Sequence, residues 1–215
     1  MRRRVLFLLL LLAAPLLCGA ELIAGAGSRL LLQGSSNVAP WRCRGNTIDA
    51  KMDVAVPLSR INSVIDRIED GDVARLDPSN ASFPQPSFNL SIPVASLDCG
   101  NSQMERDLHQ ALRAEAHPQI EFVFQKLVGG VNHDIDRGTY HAKISGVLAL
   151  AGARKNVVID VHAQRVSRTQ FRLRAKLPLR MTDFRITLPT ALFGMIKARN
   201  ELVVQFDLFL EENRS

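Results

Sequence analysis

The chain carries none of the short signatures by which the common enzyme classes are recognised. It has no Gly-x-Ser-x-Gly nucleophile turn, no phosphate loop and no dinucleotide fingerprint, which leaves the hydrolase, nucleotidase and Rossmann readings without support. The five histidines, His109, His117, His133, His141 and His162, include no pair at tight metal-ligand spacing. No metal and no cofactor are therefore expected. Asp98 and Asp183 are isolated acids and read as turn or cap residues. Internal repeats and low-complexity tracts are missing too.

A charge excess is also lacking once the N-terminus is set aside. The net charge is +6, but Arg2, Arg3 and Arg4 supply three of those charges. The remainder holds 24 Lys+Arg against 21 Asp+Glu, a net of +3. That small, spread excess suits solubility and excludes a nucleic-acid footprint. The local run Arg165, Arg168, Arg172, Arg174, Lys176 and Arg180 puts Arg172, Arg174 and Lys176 on alternate strand positions, as in a solvated outer face.

No apolar run reaches membrane-spanning length. Val5 to Leu17 follows the three arginines, is broken by Pro15, and falls short of the ~20 residues a spanning helix needs. Cys18-Gly19-Ala20 then offers the small residues of a cleavage site. Residues 1–20 thus read as a secretory signal cut near Ala20–Glu21, and 21–215 as one exported domain, periplasmic or secreted, with no stable membrane span. A lipoprotein anchor at Cys18 competes, but that signal wants a small residue before the cysteine and meets Leu17. Only Cys43 and Cys99 then remain. An even count in an exported chain suggests one disulfide. It would close about 56 residues, a constraint of roughly 3–4 kcal/mol. The rival, a reactive cysteine beside Asp98 with His109 nearby, needs a free thiol beside a second cysteine in an oxidising compartment.

What the chain does have is alternation. Leu202, Val204, Phe206, Leu208 and Leu210 fall on one face of a strand, Gln205, Asp207 and Glu211 on the other, with Val203 and Phe209 as apolar exceptions. Strand side chains alternate with period two, so such a segment has one dry face. The pattern returns at Met52, Val54, Val56 and Leu58; at Phe88, Leu90, Ile92 and Val94; and at Ile120, Phe122 and Phe124. It recurs at Tyr140 to Leu150, at Val157 to Val161 and at Phe171 to Leu177. Ala151 to Asn156 reads as a hairpin connection, Met181 to Thr187 as a further strand, and Leu188 to Ile196 as a compact apolar segment. Helical spacing occurs twice. Leu58, Ile61, Val64, Ile65 and Ile68 predict a helix with Ser59 as N-cap and Gly71 as stop. Ser102-Gln103-Met104-Glu105 predicts a capping box opening a second helix with a Met104, Leu108, Ala111, Leu112 stripe. Asp70 to Gln85 is turn-rich and reads as a surface loop. Many strands and few helices favour a closed antiparallel barrel, which removes edges and turns every apolar face inward. The interior mixes rings (Phe88, Phe122, Phe124, Phe171, Phe206) with small residues (Ala142, Gly146, Ala175). On the residues alone it is either a filled core or a cavity.

One combination is more specific than its parts. Gly34-Ser35-Ser36-Asn37-Val38 with Trp41 precedes Ile92-Pro93-Val94-Ala95-Ser96-Leu97-Asp98-Cys99-Gly100-Asn101 with Met104, Asp107 and Leu108. Then come Pro118-Gln119-Ile120-Glu121-Phe122, the Gly146 to Gly152 hairpin with Lys155, Met181-Thr182-Asp183-Phe184, Pro189, Phe193-Gly194 and the closing strand. Together, over roughly Leu30 to Leu210, they resemble the YceI-like family of exported bacterial proteins. The resemblance implies a mainly β, lipocalin-like, eight-stranded antiparallel barrel with one or two short helices. It further implies no catalysis, sometimes a homodimer, and a long pocket holding a polyisoprenoid chain. Carried onto this sequence, the lipid-binding lining is Val54, Val56, Phe88, Leu90, Ile92, Ile120, Phe122, Phe124, Ile144, Leu148, Phe171, Leu173, Phe193, Leu202, Val204 and Phe206. The insertion between Leu58 and Gln85 and the Cys43/Cys99 pair depart from simpler members. The expected function is a non-catalytic carrier or store for a long isoprenoid-type lipid. The alternatives are a packed-barrel structural or interaction module without lipid, and an enzyme of lipid metabolism, for which no polar group inside the pocket is evident.

Overall fold

The computed structural model describes residues 19–70, 85–134, 136–191 and 193–214. The chain opens with β1 (Ala20–Ala24), β2 (Arg29–Ser36), β3 (Pro40–Gly45) and β4 (Asp49–Val54). Helix α1 (Leu58–Glu69) follows, then β5 (Ser87–Pro93), the short β6 (Leu97–Asp98) and helix α2 (Ser102–Ala111). After these come β7 (Gln119–Leu127), β8 (Asn132–Asp134), β9 (Thr139–Leu150) and β10 (Ala153–Arg165). Finally there are β11 (Gln170–Arg180), β12 (Thr190–Ala191) and the long β13 (Ile196–Glu212).

Pairing is antiparallel in the order β1-β4-β5-β7-β9-β10-β11-β13, and β13 returns to β1 through Leu22–Glu212 and Ala24–Leu210. β2 continues β1 along the same side of β13, and β3 continues β4, with β2 paired to β3 from Leu30–Gly45 to Ser35–Pro40. Counted as two interrupted strands, they make the sheet a closed 8-strand barrel. Closure leaves no long edge exposed, as the alternation requires. On β13 the inward set is buried or packed on the core: Leu202 and Val204 are 8% exposed, Leu208 4% and Leu210 0%, with Phe206 against them.

The strand ends define two rims. At the upper rim, Ala151 and Gly152 both adopt positive φ (50° and 81°) between β9 and β10, with Leu150 opposite Ala153. Two left-handed residues match the twist of the strands they join. The hairpin is therefore tighter than the expected Ala151–Asn156 connection, and Asn156 already lies in β10. At the lower rim, α1 buries Leu58, Asn62 and Ile68. Asn62 Nδ2 donates to the carbonyls of Leu58 (2.9 Å) and Arg168 (2.7 Å), fastening the helix to the β10–β11 turn. Arg165 adds ion pairs to Asp66 and Glu69, both at 2.5 Å, and its hydrogen bond holds the Asp66 carboxyl below its ordinary range. α1 is thus a plug.

Four local expectations change. The N-cap of α1 is Pro57, not Ser59; the Ser59 carbonyl instead accepts from Ser63 Oγ at 2.9 Å. The N-cap of α2 is Asn101, one residue earlier, and no capping box forms: Asn101 Oδ1 accepts from the Met104 amide (3.0 Å), and Glu105 Oε1 accepts from the Cys99 amide (3.1 Å) instead of the cap residue's. Met181–Phe184 is a short 3₁₀ turn rather than a strand, and the segment after it forms the small β12–β13 hairpin. β1 lies beyond every segment singled out by alternation. The segment expected to be a signal peptide, as far as Cys18, Gly71 and the heart of the expected Asp70–Gln85 loop lie outside the described residues.

Candidate functional site: an apolar cavity under a helical lid

The barrel interior is not uniform from rim to rim. Its lower half carries a pair of large rings. The Phe88 and Phe122 rings meet at 6.3 Å between centroids, tilted by 54°. Leu90 is 6% and Phe122 4% exposed, whereas Phe124, Ile144, Phe171 and Leu173 are half-buried. A Cβ at Gly146 would overlap the Phe122 ring, so this glycine accommodates an aromatic neighbour.

The upper half contains a cavity of about 470 Å³. Its walls are Leu30 and Leu32 from β2, Trp41 and Cys43 from β3, Leu148 and Leu150 from β9, Leu177 and Leu179 from β11, and Leu202, Val204 and Phe206 from β13. Met104, Leu108 and Ala111 of α2 lie across it. Polar groups are confined to the rim and the lid: Ser36, Asn101, Gln103, Asp107 and Thr190. The two helices differ in a telling way. α1 buries its apolar face, whereas α2, equally amphipathic in sequence, has no buried residue at all. Its stripe is only partly covered: Met104, Leu108 and Ala111 are half-buried against the core, and Leu112, just past its end, is buried.

α2 is held from its N-terminal side. Cys43 and Cys99 form a disulfide across 56 residues of chain, tying the segment before the helix to β3. The bond removes the reactive-cysteine alternative. Asp98 acts as a turn residue, its Oδ1 accepting from the Gly100 amide at 2.7 Å. Among the described lining residues the one carboxylate is Asp107, which accepts from Gln103 Nε2 at 2.8 Å.

The expected lining residues separate into four groups. Ile120, Leu148, Leu202, Val204 and Phe206 line the cavity. Val56, Phe88, Leu90, Ile92 and Phe122 are buried away from it, and Val54, Phe124, Ile144, Phe171 and Leu173 pack half-buried on the same core. Phe193 is fully exposed, at 107%. Alternation distinguishes inside from outside but says nothing of height along the barrel axis. Met104, Leu108 and Ala111, legible in the sequence as the apolar stripe of a helix able to cap an opening, join the lining.

The outer wall holds a wider, open basin of about 1240 Å³ lined by Arg29, Arg44, Arg137, Arg172, Arg174, Lys176, Asp160, Asp207, His141 and His162. Its two acids are both paired, while Arg44, Arg174 and Lys176 leave the basin net positive. Asp207 takes both Arg172 (Nε at 2.6 Å) and Arg29 (Nη2 at 2.7 Å), and Lys143 holds Asp160 at 2.8 Å. The Arg172 hydrogen bond keeps the Asp207 carboxyl below its usual range. The two histidines pair edge to face at 4.2 Å on the outer surface. Among the described residues no group of three or more His, Cys, Asp or Glu could hold a metal. No helix among them is long and apolar enough to cross a membrane.

Residues 45–210 match the family described as the YceI-like domain. A structure described as a polyisoprenoid-binding domain from Saccharophagus degradans, implicated in plant cell wall breakdown, superposes with TM-score 0.60 at 13% identity. That alignment covers 91% of this chain and 100% of that one. BcnA from Burkholderia cenocepacia superposes with TM-score 0.57 at 16% identity, over 85% of this chain and 95% of that one. At these identities the likeness is one of fold. No curated protein matches the chain by sequence.

Proposed function

Since the chain belongs to the YceI-like family, we propose that it is an exported, non-catalytic binding protein whose upper-barrel cavity holds the apolar chain of an isoprenoid-type lipid. The observation that carries this reading is the hydrocarbon cavity beneath α2, with its polar groups restricted to rim and lid. A dry apolar cavity gains most from an apolar guest, and removing hydrocarbon from water drives binding at about 25 cal/mol per Å². The chain needs no directional contact along its length; Ser36, Asn101, Gln103 and Thr190 are placed to meet a polar head group. The polyisoprenoid-binding description of the Saccharophagus neighbour agrees with this choice of ligand.

Size refines the ligand. A cavity of about 150 Å³ accepts a six-carbon benzene ring; on that scale 470 Å³ takes roughly 19 carbons, about four isoprene units. A longer polyisoprenoid would leave part of its chain outside. A catalytic role has little to work with at the cavity. The groups whose protonation is displaced, such as Asp66 and Asp207, sit in ion pairs on outer surfaces, and Tyr140, pushed up to about 12 by burial, is not among the lining residues. No cofactor is assigned. An interaction module without lipid would be packed from rim to rim, so the apolar cavity favours the carrier reading. Organic extraction of protein purified from its host, followed by mass spectrometry, tests the proposal. One apolar lipid per chain is expected. A lipid-free protein that also refuses added prenyl lipids would rule the carrier out.

A further inference from the structure

We propose that the upper rim is a docking surface for an anionic lipid bilayer, with Phe193, Met195 and Val38 entering the bilayer and Lys197, Arg199 and Arg185 meeting its head groups. This rests on the lipid-carrier reading for its purpose, but not for its chemistry or its test.

Three large apolar side chains stand in water at this rim: Phe193 at 107% exposure, Val38 at 68% and Met195 at 67%. Phe193 has φ +54° and Gly194 φ +86°. Left-handed backbone is uncommon for a bulky residue, and here it presents an aromatic ring outward from a hairpin tip. Such a conformation, kept at a position with no packing to gain, points toward a surface the isolated chain does not contain.

The two loops that carry these residues are latched together. Asn37 Nδ2 donates to the Met195 carbonyl (2.9 Å), Asn37 Oδ1 accepts from the Lys197 amide (2.8 Å), and the Asn37 amide donates to the Lys197 carbonyl (3.0 Å). Val38 and the hairpin tip therefore form one fixed projection.

Charge identifies the occupant. Past the tip, exposure alternates from Phe193 through Met195 and Lys197 to Arg199, so two cations continue the outward face that the two apolar residues begin. Arg185, also exposed, follows the 3₁₀ turn that Asn200 fastens through the Thr182 amide at 3.0 Å. Among the described residues none of these three cations makes an ion pair; of the nearby acids, Glu201 is engaged by Arg180 at 3.8 Å and Asp183 lies in the 3₁₀ turn. An apolar tip bordered by cations is complementary to the acyl boundary and anionic head groups of a membrane surface. The patch is also continuous with the cavity: Val38, Pro189, Thr190 and Ile196 line its mouth. A guest leaving the bilayer would enter the barrel without crossing water.

The test is co-sedimentation of the full mature chain with vesicles of phosphatidylcholine alone and of phosphatidylcholine with phosphatidylglycerol. Binding to the anionic vesicles is expected, weakening as salt rises. Phe193→Ser with Met195→Ser should weaken it tenfold or more. Lys197→Glu with Arg199→Glu should lose at least about fivefold per cation on anionic vesicles, and far less on neutral ones. These positions are exposed, and unchanged melting temperatures will show that the variants fold. Val204→Trp, which fills the cavity, should leave vesicle binding intact, so loss of cargo and loss of docking are read separately. A wild-type chain that ignores anionic vesicles overturns the proposal, as does binding indifferent to the tip substitutions. A concentration-dependent dimer abolished by Phe193→Ser would overturn it in favour of a second copy of this chain.

Discussion

A series of linear prenyl or fatty alcohols, from about ten to about thirty carbons, probes the cavity as a ruler. Each methylene withdrawn from water contributes about 0.8 kcal/mol, so affinity should climb about fourfold per carbon while the chain still fits. The cost of association is common to every member of the series and cancels in that slope. With 470 Å³ available and about 150 Å³ per six-carbon ring as the scale, the rise should stop near 19 carbons and then flatten, because further carbons stay at the mouth. Displacement of a fluorescent fatty probe, confirmed by calorimetry, measures the slope and the break. Val204→Trp supplies the internal control. Val204 is 8% exposed and faces the cavity, so an indole there occupies ligand space and should move the break to about six fewer carbons. It should also leave the melting temperature nearly unchanged, whereas overpacking a filled core costs about 1–3 kcal/mol. Affinity that climbs without a break to about thirty carbons, or a flat series, would refute the reasoning.

Other consequences follow from the framework around the cavity. Replacing Cys43 and Cys99 together by Ala should lower stability by roughly 3–4 kcal/mol in denaturant titration, and hydrogen exchange in α2 should rise because its anchor to β3 is gone. Asn62→Ala leaves the Arg168 carbonyl without its buried donor and should cost about 2 kcal/mol by urea unfolding. Asp207, whose folded pKa is depressed by Arg172, contributes stability at neutral pH that is lost as pH falls below about 4 toward the folded value. Asp207→Asn should therefore be less stable than the parent at pH 7 and show a shallower loss between pH 4 and pH 2; parallel curves would contradict the assignment. Gly146→Ala should destabilise by about 1–3 kcal/mol through collision with Phe122, measured as a drop in melting temperature.

The strands were legible because burial in a barrel imposes period two, and β13 shows it residue by residue from Leu202 to Leu210. Helix positions were legible too, but their first residues were not. Asn101 and Ser102 are both competent caps, and only the three-dimensional approach of Glu105 to the Cys99 amide decides between them. β1 has too few residues to declare a period, and its place is set by pairing with β4 and β13. The site was half legible. Ile120 and Phe122 are indistinguishable by alternation, yet one lines the cavity and the other turns its ring toward Gly146. What separates them is the neighbour each side chain meets, a property of register and closure. Phe193 looked like lining because it is aromatic within an apolar segment, but a left-handed turn points it outward.

The most direct measurement is a crystal structure of protein taken from its own host, with no lipid added. Continuous tubular density between Trp41, Leu202, Val204 and the underside of α2 is the predicted result, ending above the Phe88–Phe122 pair. A structure in which the lid helix has sunk onto those walls, leaving no space and no density, would contradict the account.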